Sequence, residues 1–203
     1  ARAYLEASLL MRQERWVEAK QRLLGAQADL IGWPELAERA DFKLAACYRR
    51  VDSPDAEIEV YRRILRRNDS SMAALSGLVV AYAASGRLDE GLQQLLRAEG
   101  VRLPARLSIL IRLAEQSLSE GSFDEAQRLY EVVVRNDAEN VVALNNLAWI
   151  LSTHGQQHAE ALDLIARAES AGGPPESILD TRGEILMNAG RYEEAAAAFE
   201  AAL

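Results

Sequence analysis

The sequence predicts an all-α repeat protein, and three observations lead there. A short motif recurs as GRLDEG at Gly86–Gly91, GSFDEA at Gly121–Ala126 and GRYEEA at Gly190–Ala195. Its glycines, with Gly155 between the last two, are spaced 35, 34 and 35 residues apart, a period that marks a repeat architecture. Around them apolar residues fall three and four apart, as in LSILIRLAEQSLSE before Gly121 and FDEAQRLYEVVVRND after it, which is helical spacing.

Each motif then has a physical role. The glycine supplies the left-handed conformation that stops one helix. The acids that follow (Asp89 and Glu90, Asp124 and Glu125, Glu193 and Glu194) fall in the first turn of the next helix. There they face the positive end of its dipole. The small residue after them (Gly91, Ala126, Ala195) lets two helices approach closely. Each repeat is therefore a helix, a tight turn and an antiparallel helix.

Here the chain resembles the tetratricopeptide repeat family, whose period is about 34 residues. The family has a large residue, Leu, a small residue and an aromatic along its first helix, then Ala, an aromatic and Ala along its second. Residues 1–33 keep Ala7, Leu10, Trp16, Ala19, Leu23 and Ala26. Residues 38–71 keep Leu44, Ala45, Tyr48 and Tyr61, with a turn, VDSPDAE, that lacks the glycine. Residues 72–104 offer Leu75, Leu78, Val79, Tyr82, Gly91, Leu95 and Ala98. Residues 107–140 offer Leu110, Leu113, Ala114, Ser117, Ala126, Tyr130 and Val133. Residues 141–173 offer Leu144, Leu147, Ala148, Leu151, Ala161, Ile165 and Ala168, with one residue inserted in the turn. Residues 176–203 offer Leu179, Gly183, Leu186, Ala195, Phe199 and Ala202. Pro34, Pro104 and Pro174 stand 70 residues apart at alternate unit boundaries, where a helix must stop. The resemblance thus implies a right-handed α-solenoid of about six units forming a single array over 1–203. Glu57 and Gly91 in place of Ala, and Arg182 in place of Leu, suggest local looseness.

Composition bounds the function. The formal net charge is −8, with residues 1–103 at +1 and residues 104–203 at −9. No apolar run approaches the ~20 residues of a membrane span, so no direct membrane insertion is expected. One cysteine, Cys47, allows no internal disulfide and reads as a packing residue. His154 and His158, four apart, read as turn residues rather than a metal site. No phosphate-binding loop or nucleophile elbow is present. The chain is therefore expected to be no enzyme, with no cofactor and no metal. The stripe Arg62, Arg63, Arg66 and Arg67 reads as a salt-bridged face, since nucleic-acid binding would call for interleaved aromatics. The chain opens on Ala1 and stops at Leu203 inside a helical pattern, and is expected to be part of a longer protein, cytoplasmic or periplasmic.

In the resembling family, partners bind along the concave face formed by first helices. Mapping that face gives Tyr4, Ser8 and Arg12, then Arg39, Phe42, Lys43, Arg49 and Arg50. Next come Ser76, Gly77, Val80, Ala83 and Ala84, then Ile111, Arg112 and Glu115. Asn145, Asn146, Trp149 and Ser152, then Asp180, Thr181, Glu184 and Asn188, complete it. The basic cluster at Arg39–Arg50 would pair with acidic segments of a protein or peptide partner, or is simply solvated. Asn145 and Asn146 would hydrogen-bond an extended backbone. Trp149 would be a hot spot, or would pack on the next unit. The family's carboxylate clamp for chaperone tails is missing: Asn146 holds its middle place, but Ile111, Glu115, Ser177 and Thr181 hold the others. LNNLAWIL and LDTRGEILMNAGRYEEA look like terminal repeats of large bacterial tetratricopeptide proteins. That likeness suggests a scaffold in envelope assembly, secretion or polysaccharide export. The rival expectations are a spacer arm of a glycosyltransferase or sulfotransferase, and self-association through uncapped ends.

Overall fold

A computed structural model describes residues 2–203. Among them lie twelve α-helices: α1 (Arg2–Arg12), α2 (Trp16–Ala26), α3 (Pro34–Arg50), α4 (Pro54–Arg67), α5 (Met72–Ala84), α6 (Leu88–Leu96), α7 (Leu103–Ser119), α8 (Phe123–Asn136), α9 (Val141–Thr153), α10 (His158–Ser170), α11 (Pro175–Asn188) and α12 (Tyr192–Ala202). They make six consecutive hairpins. The chain divides into two compact units, one ending at Arg106 and one running Leu107–Leu203. Among the described residues no helix is long and apolar enough to cross a membrane.

The turns inside the hairpins share one backbone device. Gly86, Gly121 and Gly190 have φ of 73°, 76° and 74°. The three turns without a usable glycine adopt the same left-handed conformation on Glu14, Asp52 and Gln156, at φ 59°, 53° and 53°. Gly155 is thus not the equivalent of Gly121, and the left-handed residue is its neighbour. In five turns an N–H bonds to the carbonyl five residues back: Arg15 to Leu10, Ser53 to Tyr48, Arg87 to Tyr82, Ser122 to Ser117 and Arg191 to Leu186, at 2.8–3.0 Å. This is the bond of a Schellman closure. In the fifth hairpin Gln157 reaches Leu151, six residues back, at 2.9 Å, which is where the inserted residue goes.

The prolines start helices. Pro34 and Pro175 occupy the first turns of α3 and α11, where a missing N–H is harmless, and Pro104 is the second residue of α7. Residues 34–37 and 105–106, outside the units drawn from sequence, fall in the first turns of α3 and α7, both 17 residues long. The acid pairs sit in the first turns of α6, α8 and α12.

Packing follows the small positions. Ala7, Ala19, Ala45, Ala114, Ala126, Ala148 and Ala161 are each 0% exposed. In the first unit the core joins Leu23, Leu44, Ile64, Leu78 and Tyr82. In the second it includes Leu110, Leu129, Tyr130, Leu144 and Ile165. Two departures from the family pattern are tight rather than loose, a correction to the sequence reading. A Cβ on Gly91 would lie 2.9 Å from Tyr82 Cβ, so a side chain there would push against a fully buried tyrosine. Glu57 is 1% exposed and ion-paired to Arg49 at 2.5 Å. The third, Arg182, stays exposed and pairs with Glu169 at 3.2 Å.

Candidate functional site

The first-helix positions of the second unit converge. Asn145, Asn146 and Trp149 of α9 and Asp180, Thr181 and Glu184 of α11 line one open groove of about 500 Å³, together with Leu118 and Ser119 of α7 and Phe123 at the start of α8. Five of the residues expected from sequence to bind a partner therefore share one surface: Asn145, Asn146, Trp149, Asp180 and Glu184.

Helical geometry explains the convergence. Asn145 and Trp149, and Asp180 and Glu184, are four apart and so lie on one face of their helices. The Trp149 indole Nε1 donates to Glu184 Oε2 at 2.8 Å, fixing the ring against α11. Trp149 thus packs on the next hairpin and lines the groove at once. Its other neighbours are Phe123, with ring centroids 6.2 Å apart, and His154 at 5.8 Å. Phe123 and His154 stack at 3.5 Å with planes 21° apart. Asn146 Nδ2 donates to the Tyr130 hydroxyl at 3.1 Å. Burial, then the charge of Glu115, pushes Tyr130 up to about 12, against the pull of the Asn146 hydrogen bond.

Phe123 was missed as a groove residue, and His154 as the ring that backs it. Phe123 reads as the large residue of the turn motif, and His154 as a turn residue. The available signal was that both flank first-helix ends on the side of Trp149. Ser152 is 2% exposed and sits between His158 Nδ1 at 3.1 Å and Asn188 Nδ2 at 3.3 Å, so it is internal. Arg112 and Glu115 lie exposed on α7.

The first unit places its expected residues differently. Arg49 is committed to Glu57 and to the Tyr61 hydroxyl, at 2.5 and 3.1 Å from Nη2. Burial opposes its charge, but the Glu57 hydrogen bonds and the neighbouring charges win and raise its pKa. Phe42 packs edge-on to Tyr61, centroids 6.3 Å apart. Arg39 and Lys43 lie over the Tyr4 ring at 5.9 and 5.3 Å, and Arg50 lies over Trp16 at 5.5 Å. Arg12 is exposed. Gly77 is covered by the Tyr61 ring. The basic cluster is therefore divided among aromatic faces and one buried carboxylate instead of forming a shared pocket. Three of the four arginines of the α4 stripe are salt-bridged: Arg63 pairs with the buried Asp41 at 2.5 Å, Arg67 pairs with the same carboxylate, and Arg62 pairs with Glu59. Cys47 is buried, which pushes its thiol pKa up.

Known proteins agree on the architecture. A family profile described as a tetratricopeptide repeat-like domain matches residues 61–203. The solved C-terminal part of a TPR repeat-containing protein from Cytophaga hutchinsonii is similar at 14% identity, over 98% of this chain and 77% of that one, with a TM-score of 0.51. PilF from Pseudomonas aeruginosa is similar at 19% identity, over 97% and 86%, with a TM-score of 0.48. A tetratricopeptide repeat protein from Parabacteroides merdae is similar at 18% identity, over 98% and 76%, with a TM-score of 0.45. A search of curated protein sequences finds no match. At these identities the likeness of the solved structures concerns fold alone. With the profile covering most of the chain and the helical hairpins in place, the chain belongs to the tetratricopeptide repeat family.

Proposed function

We propose that this chain is a non-enzymatic interaction module that takes a peptide or protein segment into the groove between α9 and α11. Its repeat family generally mediates protein–protein interaction and is generally non-catalytic. The observation that carries the reading is the meeting of Asn145, Asn146, Trp149, Asp180 and Glu184 around one groove. A half-buried indole held in place by a hydrogen bond is a preorganised contact surface, and little side-chain entropy is lost when a partner covers it. Flanking carboxamides and carboxylates give that surface directionality.

The test is retention of partners by the immobilised chain and by its Trp149→Ala variant, after both are shown to melt at the same temperature. A partner held by the parent and lost by the variant is the expected result. A partner held equally by both would move the binding surface away from this groove.

A further inference from the structure

We infer that the segment this groove accepts is basic, with a lysine or arginine side chain lying against Trp149 between Asp180 and Glu184. This rests on the groove being a peptide-binding surface. The hydrogen-bonding groups around it decide the sign of the partner's charge. Three donors are already used within the fold: Trp149 Nε1 on Glu184 at 2.8 Å, Thr181 Oγ1 on the Ser177 carbonyl at 3.0 Å, and Asn146 Nδ2 on Tyr130 at 3.1 Å. What remains is rich in acceptors: the Asp180 carboxylate, the second oxygen of Glu184 and the carboxamide oxygen of Asn146. The Asn145 oxygen is buried and accepts no hydrogen bond.

No cation neutralises this set. Among the described residues no Lys or Arg lines the groove, and the imidazole nearest it, His154, stands behind the lining, stacked on Phe123 at 3.5 Å. Arg182 stands between Asp180 and Glu184 in sequence but pairs with Glu169 at 3.2 Å. Neither Asp180 nor Glu184 has an ion-pair partner among the described residues. The unit around them, Leu107–Leu203, holds six Arg and no Lys against sixteen acids, a net of −10. An ammonium or guanidinium group on the indole would gain the attraction of the ring and charge-assisted hydrogen bonds to two carboxylates. An acidic segment would meet like charge, and a neutral one would desolvate the carboxylates without pairing them.

Fluorescence anisotropy tests this with labelled peptides on one Gly/Ser backbone, carrying lysines, glutamates or no charge, titrated with the full chain. The lysine peptide is expected to bind and the glutamate peptide to show no binding. Asp180→Asn with Glu184→Gln is expected to weaken the lysine peptide by about tenfold or more, as lost charge-assisted hydrogen bonds would. Glu184→Gln keeps an oxygen for the Trp149 indole, and equal melting temperatures confirm that the groove is intact. The charge-matched pair Glu193→Gln with Glu200→Gln, on α12, is expected to leave affinity nearly unchanged. Equal losses from both pairs would reduce the effect to net charge and overturn the inference. Trp149-dependent binding of the neutral or acidic peptide, without the lysine peptide, would keep the groove as a peptide site and overturn its basic preference. Failure of all three peptides would overturn both. A dimer seen by light scattering and undone by Asp180→Asn with Glu184→Gln would give the groove to a second copy of the chain instead.

Discussion

Arg49 closes its guanidinium on Glu57 through Nε and Nη2, at 2.9 and 2.5 Å, and Glu57 is 1% exposed. The acid is buried and the base is half in water, so the two halves of the pair are not equivalent. Arg49→Ala leaves a buried carboxylate without its cation and is expected to cost about 1–3 kcal/mol, less than a fully interior pair because water reaches one side. Glu57→Ala leaves a solvated arginine and restores the small residue usual at this position. It is expected to change stability by no more than about 1 kcal/mol. The double variant is expected to match Glu57→Ala. Urea unfolding of the three variants checks this, and equal losses from the two single changes would contradict it.

The left-handed residue in each hairpin turn makes a second prediction. Gln156 holds φ 53° with a side chain, whereas Gly121 holds φ 76° without one. Gln156→Gly is expected to stabilise by about 0.5–1 kcal/mol, and Gly121→Ala to cost about 1–2 kcal/mol. Opposite shifts in melting temperature are the expected readout. A drop for Gln156→Gly would show that its side chain contributes more than its backbone strain removes.

Close helix approach makes a third. Ala126 is 0% exposed, and a Cβ on Gly91 would meet Tyr82. Ala126→Leu and Gly91→Ala are each expected to cost roughly 1–3 kcal/mol by overpacking. Calorimetry of the two variants checks the register of both hairpins, since unchanged melting would place these residues off the packed seam.

Alkaline pH makes a fourth. Tyr130 is pushed up to about 12 in the fold, by burial and then by Glu115, while an unfolded chain ionises near pH 10. A raised folded value means that the stability tied to this phenol is complete below pH 10. It is lost as pH climbs to 12, by an amount on the order of 2–3 kcal/mol. Tyr130→Phe lowers stability at neutral pH, because the Asn146 hydrogen bond goes. It also flattens the alkaline limb of a plot of melting temperature against pH. An unaltered limb would assign that loss to the other tyrosines.

Helix order and hairpin pairing were legible in the sequence because they rest on local signals: a turn residue, acids in a first turn, and apolar spacing. The family register also placed Asn145, Asn146, Trp149, Asp180 and Glu184 on a common surface, since residues four apart on successive first helices must face the same way. Pairing between side chains was harder to see. Glu57 at a small-residue position looked like a packing fault, and its meaning depends on Arg49 crossing from α3. Phe42, Arg39, Lys43 and Arg50 met aromatic rings on other helices, where a positional rule records the direction of a side chain but not what fills the space. Asp41 drew no notice, although it takes both Arg63 and Arg67, because a single acid within a helix carries no pattern.

The seven-residue turn of the fifth hairpin has a consequence for how such chains can change length. The extra residue is held between Leu151 and Gln157, while α9 keeps the 13 residues that α5 has. The turns act as expansion joints and the helices as beams of fixed phase. A residue added at the joint leaves every side chain aimed as before. The same residue added inside α9 ahead of Trp149 would swing the indole by about 100° about the helix axis, away from Glu184. Growth by insertion is therefore tolerated in the joints and excluded from the beams.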